Sequence, residues 1–442
     1  MTASSDFKKF FSNKSLKKLF VEEIRYKSAR GIDHVSTRTF EGRLPENIKI
    51  IHRKVHNGTY QFSQYREKLL SRGSERPPRV ISIPTIRDKL VQKALAEILK
   101  SSFGAGIPLL HTIINDVIST YYSGAYDSVL RIDVKDYYPS IVHSVLIKEL
   151  RKKIRKKEIL QLIENAISRK TVSQPNKKDR NSNAKGVPQG LSISNILANI
   201  YLSPIDTKYS SYPNLRYFRY VDDILIFCGE VDIEEIHTKL VKDCTDLGLD
   251  LHKREDKSSK SSSGKIVDGF SYLGYEFNGD KVIVRKKSVD KIRESIIRVL
   301  TNYKYSKTKD IEFLKWALNI RITGCIFNNS KYGWLFFFSQ IDDLSLLGAL
   351  DHFIQTQLKR FDINGLKLKT FLRAYHEITR NLSKTTYIPN FDQLSTSEKE
   401  RILIDVFQVK NPLTTPHDIE YQFNRRIYKM VTELERDLSR TS

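Results

Sequence analysis

Leu215-Arg216-Tyr217-Phe218-Arg219-Tyr220-Val221-Asp222-Asp223-Ile224-Leu225-Ile226-Phe227 reads as two apolar strands pinched around two adjacent carboxylates. Neighbouring ionised carboxylates repel, so a hydrophobic hairpin that holds two of them has a dication to place between them. A third acid, Asp133, closes another apolar run, Ser128-Val129-Leu130-Arg131-Ile132, far upstream. Three carboxylates from two strand regions suit a two-metal phosphoryl-transfer site. One Mg²⁺ would activate an attacking 3′-oxygen and a second would steady the leaving pyrophosphate. A turn often holds Asp for structural reasons, but the hairpin together with the distant strand-end acid favours metal. The same dipeptide recurs in Gln340-Ile341-Asp342-Asp343-Leu344. That copy lies in a helical pattern with no apolar hairpin around it, and it reads as structural.

Three further segments surround this pattern. In Asp133-Val134-Lys135-Asp136-Tyr137-Tyr138-Pro139-Ser140-Ile141, the ring of Tyr138 follows the metal acid closely enough to lie under an incoming sugar. There it would exclude a 2′-hydroxyl; the alternative is a packed turn aromatic. Gly186-Val187-Pro188-Gln189-Gly190 is a flexible loop leading into a long helix through Leu202, and Gln189 is its candidate for the nucleotide or template pocket. Asn195 and Asn199 on that helix either face the site or serve as polar core. Arg72, Arg76 and Arg79 sit on an early hairpin, where a guanidinium fork suits a triphosphate and the alternative is solubility.

The chain has 442 residues, enough for two to four subdomains. Lys and Arg number 75 against 51 Asp and Glu, a net charge of +24, which points to a polyanionic partner, above all nucleic acid. The 22 Tyr and 22 Phe include rings on which bases could stack, although most belong to a core. Cys228, Cys244 and Cys325 lack metal-ligand spacing and are odd in number, which suits a reducing cytoplasm. The N-terminus has no signal-peptide pattern, and Trp334-Leu335-Phe336-Phe337-Phe338 is far too short to span a membrane. The sequence therefore predicts a soluble cytoplasmic protein.

Along the chain, basic helical segments come first, Ser15 to Ile24 being the clearest amphipathic stretch. A strand pair follows, Tyr65 to Leu70 and Arg79 to Pro84, then a helix with Leu90, Val91, Ala94, Leu95 and Ile98 on one face. Tyr137 to Ser140 turns the chain into one long basic helix through Leu146, Leu150, Ile154, Leu160, Ile163 and Ile167. Ser258 to Gly264 is low-complexity and reads as flexible. Phe270 to Phe277 and Lys281 to Val284 form a hairpin around Asn278-Gly279-Asp280. From Ser288 onward the pattern is helical, with a break between Gly324 and Gly333. Strands and helices are mixed rather than alternating, so the fold class is α+β.

Together these segments resemble the bacterial reverse transcriptases, the superfamily of retron and group II intron-like enzymes, over roughly Tyr65 to Lys287. Arg79 to Leu95 is similar to the family's fingers segment, Asp133 to Ile141 to its first catalytic motif, and Gly186 to Leu202 to its Gly-x-Pro-Gln-Gly motif. Tyr220 to Asp223 matches its aromatic-x-Asp-Asp box, and Phe270 to Phe277 resembles its primer-grip hairpin. The resemblance implies a right-hand polymerase, with a basic helical N-terminal extension over 1–60, fingers and palm over 61–287, a helical thumb over 288–360 and a helical C-terminal extension over 361–442. It implies RNA-templated DNA synthesis from deoxynucleoside triphosphates with two Mg²⁺, Mn²⁺ being an alternative. Asp133, Asp222 and Asp223, with Val134, would hold the metals, and Tyr138 would gate the sugar. Arg76, Arg79 and Gln189 would contact the nucleotide, and Tyr272, Leu273 and Gly274 the nucleic acid. After Gly248-Leu249-Asp250-Leu251-His252 the family usually places a lysine three residues on, where this chain has Glu255. Lys257 is then the candidate acid for the pyrophosphate.

No zinc-finger or nuclease segment follows the thumb, which disfavours a mobile-intron enzyme. Arg321-Ile322-Thr323-Gly324 faintly resembles the retron thumb. The stretch Lys331 to Gln340 and the helical tail look more like the phage-defence-associated enzymes. The sequence thus points to a partner noncoding RNA copied into cDNA during antiviral defence, and leaves room for a homo-oligomer. Rival readings are a retron-type enzyme, untemplated or protein-primed DNA synthesis, and an idle RNA-binding scaffold. The intact acids oppose the scaffold, because an acid cluster is costly to hold without a cation.

Overall fold

A computed structural model describes residues 2–27, 29–71, 77–104, 110–175, 183–254, 261–410 and 415–438. Its strands are β1 (Tyr65–Leu70), β2 (Arg79–Ile83), β3 (Ser128–Asp133), β4 (Thr171–Val172), β5 (Arg216–Tyr220), β6 (Asp223–Cys228), β7 (Ser262–Lys265), β8 (Phe270–Tyr272), β9 (Tyr275–Asn278), β10 (Lys281–Val284), β11 (Cys325–Phe327) and β12 (Ser330–Tyr332). Helices and mostly antiparallel sheets make an α+β fold, as the mixed pattern predicts. The chain divides into two compact units, residues 1–109 with 124–264, and residues 110–123 with 265–442.

In the first unit the central sheet has the order β5-β6-β3-β7. Every residue of β6 is buried, so both faces of that strand are covered and after Asp223 its sequence is continuously apolar rather than alternating. Leu130, Ile132, Ile224, Ile226 and Cys228 face a core that also takes Leu90 and Leu95 from the helix Ile86–Phe103 and Leu197 from the helix Ser194–Tyr201. Period-two alternation then turns Arg131, Asp133 and Asp223 to the other face.

A second sheet, β2-β1-β4, holds the expected strand pair, with Leu70 opposite Arg79 and Arg66 opposite Ile83. Pro84 ends β2, and Thr85 caps the next helix by accepting the Asp88 N–H at 3.2 Å while its hydroxyl donates to Asp88 Oδ2 at 2.8 Å.

Several segments differ from the sequence pattern. The long basic helix is two, His143–Arg151 and Lys157–Ser168; the break between them lets Ile154 turn fully into the core while Arg151, Lys152 and Lys153 stay in solvent. The helix after the glycine loop stops at Tyr201, and Pro204 opens a new one, Ser203–Ser210. Ser262 to Gly264, within the stretch read as flexible, forms the sheet-edge strand β7. Residues 258–260 lie outside those described.

In the second unit β8, β9 and β10 form a meander. Phe270 to Phe277 is two strands rather than one, because Leu273 and Gly274 both take positive φ (48° and 87°) in the turn between them. The helical break between Gly324 and Gly333 is the β11–β12 hairpin, turned by Asn328 and Asn329 at φ 50° and 54°. A Cβ on Gly333 would stand 2.6 Å from Gly324 Cα, so the base of that hairpin closes only with glycine. Helices Lys286–Tyr305, Ile311–Thr323, Ser345–Arg360 and Pro416–Leu438 supply most of the rest. Among the described residues no helix is long and apolar enough to cross a membrane.

Candidate active site

Asp133 ends β3 directly opposite Asp223, the first residue of β6. Both are buried, at 3% and 2% exposure. Asp222 occupies the turn before β6, where the Val134 N–H donates to its carbonyl at 3.3 Å. The backbone therefore gathers Asp133, Val134, Asp222 and Asp223 at one end of the sheet. Their side chains are less closely drawn together: among the described residues no three Asp, Glu, His or Cys groups form a ready metal cage. A reason is visible in Asp223, whose two oxygens accept from Arg131 at 2.9 and 2.6 Å. Asp133 Oδ2 stands 3.4 Å from His252 Nε2.

This donor set of hard carboxylate oxygens fits a divalent ion of the Mg²⁺ or Mn²⁺ type. Asp133 and Asp222 would hold it, with the Val134 carbonyl available, since the two bonds tying this segment to its neighbour bypass that oxygen. Those bonds are Lys135 N–H to Asp250 O at 2.8 Å and His252 N–H to Asp133 O at 3.0 Å.

The turn is held from below. Val221 has φ 58°, a left-handed conformation that a β-branched residue rarely adopts. Arg219, nearly buried, donates to the Val221 carbonyl at 2.8 Å and to Asn199 Oδ1 at 2.8 Å, and its Nε donates to Asp206 Oδ1 at 2.6 Å. The Asp206 carboxylate raises the Arg219 pKa despite burial, which works the other way, so the guanidinium stays charged. Asn199 is thus part of the support under the turn.

Asn195 has the other role: it faces the ring beside the acids. The Tyr138 hydroxyl donates to Asn195 Oδ1 at 2.8 Å. Burial raises the Tyr138 pKa, the Asp222 charge adds to this, and Arg79 opposes it. The phenol therefore stays protonated and can donate. Those charge effects also place Asp222 and Arg79 within electrostatic reach of the Tyr138 ring.

The glycine loop ties these parts together. Ser82 N–H on β2 donates to the Gln189 carbonyl at 2.7 Å, and Val187 N–H donates to the Tyr138 carbonyl at 2.8 Å. Gly190 has φ 105°, and a Cβ there would press on Ile81 at 2.8 Å and on the Ser82 carbonyl at 2.9 Å. Gln189 itself is half-buried and Arg79 is exposed. Arg72, Arg76 and Lys257 lie outside the described residues. Tyr272, Leu273 and Gly274 belong to the second unit, where they form the β8–β9 turn.

Three site residues escape a motif-based reading: Arg131, Arg219 and His252. Alternation alone puts Arg131 on the face of Asp133 and Arg219 on the opposite face from Tyr220. No local signal places His252 beside Asp133; that contact depends on the sheet.

Comparison with known proteins agrees with this geometry. Residues 72–277 match the model of the family described as reverse transcriptase (RNA-dependent DNA polymerase). Protein YkfC of Escherichia coli (strain K12) is 23% identical over 348 residues, covering 66% of this chain and 85% of YkfC. The group II intron-encoded protein LtrA of Lactococcus lactis subsp. cremoris is 30% identical over 187 residues, covering 38% of this chain and 29% of LtrA. The retron Ec83 reverse transcriptase of Escherichia coli is 27% identical over 183 residues, covering 37% of this chain and 54% of that protein. The chain thus spans most of YkfC but only part of the other two. Among solved structures, telomerase from Candida tropicalis superposes at a TM-score of 0.41 and 14% identity, covering 82% of this chain and 68% of that one. Residues 72–277 thus match the reverse transcriptase family, and within the chain's α+β fold this stretch is what it shares with the group II intron and retron proteins.

Proposed function

We propose that the protein copies a bound noncoding RNA into cDNA from deoxynucleoside triphosphates, and that it does so in antiviral defence in the cytoplasm. The observation that carries the catalytic part is the register that sets Asp133 against Asp223 with Asp222 in the adjoining turn. Two Mg²⁺, when bound there, supply the charge that activates the primer 3′-oxygen and stabilises the leaving pyrophosphate.

The chain's own groups do the rest. Asp133 and Asp222 orient the reacting end of primer and nucleotide. Arg79, at the start of β2, meets the triphosphate, and the Gln189 loop lines the nascent pair. The Tyr138 ring, fixed by Asn195, fills the space a 2′-hydroxyl would need. Fingers and palm take residues 61–287, the thumb 288–360 and a further helical extension 361–442. The Tyr272–Gly274 turn grips the primer in this scheme, and Lys257 is the candidate proton donor. The surplus of +24 supports an RNA partner held largely through phosphates, so binding should weaken steeply with salt.

The test is primer extension by the purified chain on an RNA template with Mg²⁺, alongside sequencing of RNA and DNA that co-purify from cells under phage challenge. DNA complementary to one bound RNA supports templated synthesis and names the template. DNA with no RNA counterpart would replace this reading with untemplated synthesis, and RNA without any DNA would favour a scaffold.

A further inference from the structure

Strand β3 carries one basic residue among apolar ones, Arg131, on the same face as Asp133. Leu225 stands directly opposite Arg131, yet the Arg131 side chain runs diagonally across the ladder to Asp223. Arg131 Nε donates to Asp223 Oδ1 at 2.9 Å and a terminal nitrogen donates to Oδ2 at 2.6 Å. Both oxygens of one carboxylate are therefore gripped by one guanidinium edge, and the two side chains are only 11% and 3% exposed. A bidentate, desolvated pair of this kind fixes direction as well as charge, and the guanidinium does not titrate.

We propose that Arg131 is a positioning residue. By holding Asp223 through both oxygens it reserves Asp133 and Asp222 for the divalent ion. It also supplies a fixed positive charge that lets three neighbouring carboxylates stand together in the metal-free chain. The inference rests on the metal reading of Asp133 and Asp222 given above.

The consequence has an unusual sign. Removing Arg131 takes two donors from the Asp223 carboxylate and deletes a positive charge, so the site should bind a cation more tightly while it loses order. The measurement is titration of the full-length chain with Mn²⁺ alone, followed by spin resonance of free Mn²⁺, with urea unfolding in chelator beside it. Arg131→Met should tighten Mn²⁺ binding about tenfold, Asp223→Asn should weaken it about as much, and the double variant should return near wild type. The urea midpoint should fall for Arg131→Met and partly recover in the double variant.

A folded Arg131→Met that binds Mn²⁺ as wild type does would reduce the clasp to a purely structural contact and overturn the proposal. Should Arg131→Met fail to fold, the double variant decides: near-normal affinity supports the clasp, and affinity as weak as that of Asp223→Asn overturns it. Asp133→Asn separates the two levels. If it leaves Mn²⁺ binding unchanged, the metal reading falls and the proposal with it. If it abolishes binding while Arg131→Met is indifferent, only the proposal falls.

Discussion

The chain contains the dipeptide Asp-Asp in each of its two units, and the two copies are used differently. Asp222 and Asp223 lie at a sheet end, with Asp223 buried opposite a third acid and its charge met by a guanidinium. Asp342 and Asp343 instead spend their oxygens on local donors. Asp342 Oδ2 accepts the Val282 N–H at 2.7 Å and the Tyr122 hydroxyl at 2.6 Å, and Asp343 Oδ1 accepts the Ser345 N–H at 2.9 Å. The bonds from Ser345 hold the Asp343 carboxyl below its usual pKa. Carboxylates given main-chain donors are finished structural parts; carboxylates set against one another still require a cation. The sequence reading of Asp342-Asp343 as structural agrees with this, although the pair lies in the loop before the helix Ser345–Arg360 rather than within a helix.

The contrast can be broken most severely at the first pair. Asp222→Asn with Asp223→Asn should lower primer extension by about 10³-fold or more. RNA binding, followed by filter retention, should stay close to wild type; preserved synthesis would refute the site. Next in size is the support beneath the turn. Arg219→Met should reduce kcat by about 10²-fold through displacement of the Asp222 backbone. It should also cost about 2–3 kcal/mol in urea unfolding, because Asp206 and the Val221 carbonyl lose the guanidinium while Asp206 keeps only the Tyr217 hydroxyl. An unchanged kcat in the folded variant would show that Val221 keeps its conformation unaided.

A smaller effect is expected at Tyr138. Its replacement by Ala should relax discrimination against ribonucleotides about tenfold, measured as the ratio of kcat/KM for the two sugars. Unaltered discrimination would put the gate elsewhere. Smallest of all, Asp342→Asn with Asp343→Asn should cost about 1 kcal/mol of stability and leave kcat within about twofold. A large loss of activity there would erase the distinction between the two pairs.

What could be read from the chain follows the range of the forces involved. The β5–β6 hairpin, β3 and the β1–β2 pair were legible because apolar periodicity and strand-end acids are local signals. The setting of the glycine loop was not: that Gln189 binds β2 through its carbonyl, and that Asn195 and Asn199 divide between ring and turn, depends on register between distant segments. Helix ends escape the sequence pattern where burial of one residue, Ile154, outweighs a continuous apolar spacing. Strand β7 was hidden because serine and glycine carry no periodic pattern, and a sheet edge asks for none.

The helix Leu110–Tyr122 belongs to the second unit although it is encoded inside the first. Its Tyr121 hydroxyl donates to the Gly279 carbonyl at 2.6 Å and its ring packs 5.2 Å from Phe277, while Tyr122 reaches Asp342. On the ribosome this helix emerges long before those partners. At about 5–20 residues per second the wait is on the order of ten seconds. Throughout that interval the nascent chain carries a helix whose partners within its own unit have not yet been made. Maturation of the second unit therefore depends on the chain's second half arriving to claim a helix already made, and no single cut in the chain separates the two units whole.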